Sequence, residues 1–312
     1  MSREYDVVVV GAGLAGMTAA LTAARLGRSA AILTGGTIGG QLVSIDRIEG
    51  APGFADSVPG YDLCPITQEQ ADAAGVQFIL AEAESLTADG EAWKIASAEG
   101  EISARGVVIA TGTALAKLGV PGEARLVGRG VSECASCDAP LLRGKTTVVT
   151  GGGDSAMQEA LTLAAHVQQV IMLERGEALG GQQSYRDEVE ANPRIEVRFG
   201  QEITEILGED GVTGVRVRDA ASGAESELET AAVFAFIGLE PNTSLVDAIA
   251  PLDSTGRIRV DAAMRTSVKG LAAAGNVRQG SPHRAAAAMG DGAAAAVALD
   301  RYLATGEWPG PD

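Results

Sequence analysis

Two of the chain's three cysteines stand three apart, with an acid directly after them: Cys134-Ala-Ser-Cys137-Asp138. Thiols at this spacing can hold a metal, staple the fold or carry electrons. A zinc site needs four N, S or O ligands at coordinated spacing. The further soft ligands are Cys64, His166 and His283, scattered through 312 residues, so no metal is expected. A buried structural pair leaves the acid unexplained. At C-x-x-C spacing the sulfurs can close a small disulfide, often near a helix N-terminus, where the dipole lowers a thiol pKa. Asp138 is placed to move a proton to or from a thiolate. The redox reading is therefore preferred to the structural one. Cys64, in YDLCPITQEQ, has no partner in sequence and reads as a small buried hydrophobe. His166 and Arg278 carry no functional expectation.

A second kind of chemistry sits in two glycine turns. Gly11-Ala12-Gly13-Leu14-Ala15-Gly16 follows the strand-like YDVVVV and opens a helical stretch. At this spacing the first glycine makes the tight turn and the second lets a pyrophosphate approach the backbone. The third allows close packing of helix on strand. The phosphates then meet free N–H groups and the positive end of the helix dipole. Gly151-Gly152-Gly153-Asp154-Ser155-Ala156 repeats the pattern as G-x-G-x-x-A after KTTVVT, with Gly151, Gly153, Ser155 and Ala156 as the candidate contacts. The next strand, QQVIMLE, ends in Glu174, Arg175 and Gly176. An acid there accepts hydrogen bonds from adenosine ribose hydroxyls, whereas arginines accommodate a 2′-phosphate. Glu174 therefore favours NADH over NADPH as the nicotinamide; the alternative is a solvated charge at a strand end.

The elements that position these residues form two βαβ units, so the expected fold is α/β with two Rossmann-like dinucleotide-binding domains, the second inserted in the first. Four consecutive valines before Gly11 suit a strand buried on both faces. GVVIATGTALAKLGVPG (106–122) and AAVFAFIGLEPNTSLV (231–246) each end a strand and enter a crossover. A short strand, a loop and a long alanine-rich helix complete the first domain. The expected boundaries are 1–115 and 242–312 for the first domain and 116–241 for the insertion carrying the cysteines, with the two crossings as a hinge.

Composition excludes other classes. A net charge of −17 would repel phosphate backbones and anionic membranes, and aromatics at 4% offer little surface for base stacking, so neither nucleic acid nor membrane is an expected partner. Three cysteines in 312 residues do not make a secreted disulfide framework. The N-terminal valine run, preceded by Glu4 and Asp6, reads as a first strand rather than a targeting segment. No window has the apolar length to span a bilayer. A cytoplasmic protein is expected.

Over essentially its whole length the chain resembles the low-molecular-weight thioredoxin reductases. The likeness rests on GAGLAG, TGGTIGGQL (34–42), IEGAPGF (48–54), ATG (110–112), CASCD (134–138), GGGDSAMQEA (151–160), FIGLEPNT (236–243) and AAGNVRQGSPHRAAAAMGDGAAAA (273–296). It implies FAD in the split domain, on Gly11, Gly13 and Gly16. Thr34, Gly35, Gly40 and Gln41 match the flavin-contacting loop, and Thr111 and Gly112 lie in the ATG signature. The segment Asn276 to Ala285, with Val277, His283 and Arg284, matches the surroundings of the ribityl chain and flavin ring. Cys137 matches the flavin-proximal thiol, Cys134 the one that exchanges with a partner, and Asp138 the acid/base. A homodimer is also implied.

Four departures stand out. The family's His-Arg-Arg, followed after three residues by Arg, reads Glu174-Arg175-Gly176, with Gly180 last; this points away from NADPH. The usual Gly-Asp is Gly275-Asn276, the usual Arg-Gln is His283-Arg284, and the expected asparagine after Ile48-Glu49 is Gly50. The flavoprotein subunit of alkyl hydroperoxide reductase is similar and prefers NADH. The leading expectation is a flavin disulfide reductase acting on a thioredoxin-like protein. The runner-up is a disulfide oxidoreductase or dithiol oxidase of the same family, independent of pyridine nucleotide, with ferredoxin, a second flavin or oxygen as electron partner; a small disulfide or dithiol is the alternative substrate to a thioredoxin-like protein. A non-catalytic flavin redox sensor is the third.

Overall fold

The computed structural model describes residues 3–49, 51–54 and 56–310, so the departure at Gly50 lies outside the described residues. Two compact units are present: Met1–Ala114 with Pro241–Asp312, and Leu115–Glu240.

The first unit is built on β1 (Arg3–Val10), followed by α1 (Leu14–Arg25) and β2 (Ala30–Leu33). Val7, Val8 and Val9 are wholly buried, as a strand covered on both faces requires. After α2 (Gly60–Ala73) come β3 (Gln77–Ile79), β4 (Ala83–Asp89), β5 (Ala92–Ser97) and β6 (Gly100–Ile109). The sheet order is β3-β2-β1-β6-β5-β4. β1 pairs in parallel with β2 (Val7 opposite Ala30) and with β6 (Val7 opposite Gly106), while β4, β5 and β6 form an antiparallel meander.

β7 (Thr113–Leu115) leads into the second unit, where α3 (Glu123–Leu126), β8 (Val131–Ser132) and α4 (Ala135–Asp138) precede the next βαβ unit. That unit runs β9 (Thr146–Thr150), α5 (Asp154–Ala164), β10 (Gln169–Glu174), α6 (Gln183–Ala191) and β11 (Ile195–Phe199). β12 (Gln201–Leu207), β13 (Gly214–Asp219) and β14 (Glu225–Glu229) form a separate antiparallel sheet. β15 (Ala232–Ala235) joins the parallel sheet, whose order is β11-β10-β9-β15-β8. The return strand β16 (Leu239–Pro241) pairs with β7, so the two crossings form a short ribbon.

The chain then adds β17 (Leu271–Ala273), parallel to β6, and α7 (Ala285–Thr305), back in the first unit. The alanine richness of α7 has a packing cause. A Cβ added at Gly292 would stand 2.1 Å from the carbonyl oxygen of Ala15, so α7 can lie this close to α1 only with small residues at the contact.

Candidate functional site

In the first unit the glycine turn is imposed by space. Gly11 has φ +107°, and a Cβ there would stand 2.4 Å from the carbonyl oxygen of Ala110 at the end of β6. A Cβ at Gly16 would stand 1.9 Å from the Gly11 carbonyl oxygen. At Gly13, by contrast, the space a Cβ would enter is open. Gly13 is the N-cap of α1, and no side chain caps the helix. The first-turn N–H groups are thus available to an anion, with the helix dipole behind them.

Two further segments meet this turn. Gly39 donates to the carbonyl of Ala12 at 2.8 Å, and a Cβ on Gly40 would lie 3.7 Å from the Gly13 Cα, so the loop after β2 runs beside the turn. Thr34 closes that loop by donating to the Gly36 carbonyl (2.7 Å), Gly35 packs against Glu82, and Gln41 donates to the Thr113 carbonyl (2.7 Å). From the other side, Gly275 has φ +81° and approaches Ala15, a Cβ there lying 2.9 Å from the Ala15 Cβ. Asn276 accepts from Ser281 (3.1 Å), Val277 is fully buried, Arg284 is the N-cap of α7, and Ala285 begins that helix. The N-terminus of α7 likewise has no side-chain cap. His283 is exposed with φ +54°, a region that costs a non-glycine residue energy. Partial burial, then the charges of Arg257, Arg284 and Arg278, push its pKa below the usual histidine value. Thr111 donates to the Asn242 carbonyl (2.6 Å) and accepts from the Asn242 side chain at its own carbonyl (3.0 Å), next to Gly112 at φ +65°.

Arg278, which carried no expectation, proves structural. It makes a two-point pair with Asp291 (2.7 and 2.8 Å), and Asp291 also takes the Gly275 N–H at 3.1 Å. This buried carboxylate fixes the start of the 275–285 loop. An acid between two glycines in an alanine-rich helix was the available signal.

In the second unit Gly151 repeats the logic of Gly11, with φ +118° and an added Cβ 2.2 Å from the Phe236 carbonyl oxygen. Gly153, the uncapped N-cap of α5, again faces open space. Ala156 is wholly buried and Ser155 exposed. Glu174 is not a freely solvated charge. It is half-buried and accepts from the Gly176 backbone at 2.7 Å. Its other carboxylate oxygen lies so near Gly152 that a Cβ there would stand 2.5 Å from it. The loop beyond is tied to the same turn: Gly180 donates to the Gly152 carbonyl (2.8 Å), and Asp154 accepts the Gln182 N–H (2.7 Å). Gly180, where the resemblance expects arginine, therefore presents no cation.

Cys134 and Cys137 form a disulfide, with Cα atoms 5.4 Å apart. Cys134 is half-buried and is the N-cap of α4, its sulfur accepting the Cys137 N–H at 3.3 Å. Ser136 lies 3.4 Å from that sulfur, and Ser132 accepts the Cys134 N–H (3.2 Å). Cys137 is the more exposed of the pair, and Asp138 is half-buried beside it. Cys64 is 1% exposed, and burial pushes its thiol up to about 11.

The model of the pyridine nucleotide-disulphide oxidoreductases matches residues 5–292. The chain belongs to that family. A thioredoxin reductase of Treponema pallidum is 39% identical over 305 residues, covering 98% of this chain and 99% of that protein. The thioredoxin reductase of Bacillus subtilis is 36% identical, covering 97% and 96%. Among solved structures, thioredoxin reductase of Lactococcus lactis in its FR conformation superposes with a TM-score of 0.93 at 32% identity, covering 96% of this chain and 99% of that one. The T. acidophilum thioredoxin reductase gives 0.93 at 35%, covering 97% and 100%. This pyridine nucleotide-disulphide oxidoreductase is accordingly a flavin-dependent, thioredoxin-reductase-like enzyme. Among its described residues no helix is long and apolar enough to cross a membrane.

The residues present fit the family's cofactors. The open Gly13 with the uncapped start of α1 offers a pyrophosphate cradle for FAD, and the open Gly153 with Glu174 offers one for a nicotinamide dinucleotide.

Proposed function

We propose that this enzyme reduces the disulfide of a thioredoxin-like protein at the expense of NADH, with Cys134 and Cys137 as the exchanging pair. FAD would be held on Gly11, Gly13 and Gly16, on the loop from Thr34 to Gln41, on Thr111 and Gly112, and on the segment Asn276 to Ala285. It would supply two-electron exchange between nicotinamide and disulfide. The dinucleotide would lie on Gly151, Gly153, Ser155 and Ala156.

One observation carries the donor. The Glu174 carboxylate leans over Gly152, beside the open cradle, while Gly176 and Gly180 hold no charge. A carboxylate there accepts from ribose hydroxyls and repels a 2′-phosphate; Arg175 is the single cation left of the expected set.

In the dithiol state, the Cys134 thiolate attacks a sulfur of the partner's disulfide. A Cys134–partner bond forms, the partner's bond breaks, and Asp138 protonates the departing thiolate. Cys137 then attacks the Cys134 sulfur, releasing the second partner thiol and restoring the Cys134–Cys137 bond. The partner gains two electrons and two protons. Attack depends on the thiolate fraction, which the Cys137 N–H facing the Cys134 sulfur increases.

The test is anaerobic mixing of the yellow protein with NADH and, separately, NADPH. Bleaching of the visible flavin band by NADH at least about tenfold faster than by NADPH is expected, the loss of one charge-assisted hydrogen bond being worth that much. Faster bleaching by NADPH overturns the donor assignment, and no bleaching by either moves the enzyme to the donors outside the pyridine nucleotides. Cys134→Ser and Cys137→Ser should each abolish turnover. Only Cys137→Ser should leave Cys134 able to trap a partner as a stable mixed disulfide. Sedimentation of the holoenzyme tests the homodimer.

A further inference from the structure

Glu159 lies on α5 and is only 7% exposed. Burying a carboxylate costs several kcal/mol unless it is hydrogen-bonded or paired. Its Oε2 accepts the N–H of Ala135 at 2.8 Å. Ala135 is wholly buried and is the first residue of α4, the four-residue helix running to Asp138. So short a helix cannot hold itself in water and needs tertiary anchors. Its first N–H groups have no partner within the helix. One is taken by Glu159 and another by the Cys134 sulfur.

We infer that Glu159 is a positioning residue of the redox disulfide: it anchors the Cys134–Cys137 helix to α5 and sets a negative charge at the end where the Cys134 thiolate forms. The inference rests on Cys134 and Cys137 being the exchanging pair. The anchor and the dinucleotide cradle share one helix, Glu159 standing six residues beyond the Gly153 cap.

The charge acts against the thiolate. A carboxylate on the positive end of α4 offsets the dipole that would lower the thiol pKa and repels the sulfur's negative charge. Asp138 adds a second acid within the motif. Glu133, just before the pair, is offset by Lys117, and Asp154, at the other end of α5, is occupied by the Gln182 N–H. Glu159 thus keeps the thiol from becoming too acidic, which preserves its nucleophilicity once ionised.

Glu159→Gln keeps an acceptor in place and removes the charge; Glu159→Ala removes both. With the full-length holoenzyme reduced by dithiothreitol, the alkylation rate of Cys134 is followed by mass spectrometry against pH. In Glu159→Gln the midpoint should fall by about one pH unit, a tenfold gain in thiolate at fixed pH below it. Equilibration with glutathione at alkaline pH should shift up to tenfold toward the dithiol, about 30 mV for a two-electron couple. Glu159→Ala should show the same fall together with a lower melting temperature. A Glu159→Gln profile and equilibrium that match wild type overturn the inference, whatever melting does. These readouts do not use turnover, so an active Cys137→Ser would overturn the redox assignment separately.

Discussion

In GAGLAG the third glycine is demanded by space, its added Cβ standing 1.9 Å from the Gly11 carbonyl oxygen; in GGGDSA the same place holds Ala156, wholly buried. The first helix therefore sits closer to its strand than the second. The surroundings differ more. The first turn is closed in by the loop after β2, by Gly275 against Ala15 and by α7 packed on α1. The second is met by one loop, tied down at Gly180 and Gln182, and by one carboxylate, Glu174. One backbone device is thus built into two cradles. The more enclosed suits a group that stays bound, and the more open suits one that exchanges at every turnover.

The strongest way to break the comparison is to remove what encloses the first turn. Asp291→Ala leaves the Arg278 guanidinium, whose side chain is 13% exposed, with the Gln279 carbonyl but no carboxylate. Loss of one partner of a buried pair is expected to cost about 3–5 kcal/mol, read by chemical denaturation, with flavin lost from the purified protein. Next, Gly16→Ala should cost about 3 kcal/mol, because backbone must move to admit the methyl. Gly153→Ala, at the second glycine of the other turn, enters open space and should cost at most about 1 kcal/mol, the penalty for a poor N-cap. It should leave flavin content unchanged and raise the KM for the nucleotide. If Gly16→Ala is no more destabilising than Gly153→Ala, the close approach of helix to turn at Gly16 fails.

A third change sharpens the chemistry of the open cradle. Glu174→Arg should raise the NADPH/NADH ratio of kcat/KM by at least about tenfold, since a repulsion becomes a charge-assisted bond. The smallest effect concerns Cys64. A thiol pushed up to about 11 by burial is almost wholly protonated at pH 8, and its thiolate gains only as pH approaches that value. Iodoacetamide at pH 8 should label no cysteine in the oxidised native protein, two after reduction and all three after unfolding.

The glycine turns, the valine strands between them and the cysteine pair were legible in the sequence because their signals are local: a steric demand at one φ, an unbroken apolar run, a three-residue spacing. The contacts that set the site's electrostatics were not. Glu159 reaches Ala135 across 24 residues, Asp291 reaches Gly275 across 16, and Thr111 reaches Asn242 across 131. Each depends on which helix lies over which loop, and spacing carries no trace of that. Glu174 shows the boundary well. Its place at a strand end was readable, but the direction of its carboxylate, over Gly152 and capped by the Gly176 N–H, was not.

By itself, then, the sequence determined the two βαβ units, the insertion of one within the other and the cysteine–acid motif, since backbone sterics and burial periodicity operate over a few neighbours. Tertiary structure alone decided which charges sit beside the cysteines and which loops close each cradle. A buried carboxylate takes its meaning from the donor that packing brings to it, and here that donor is the first N–H of the disulfide's own helix.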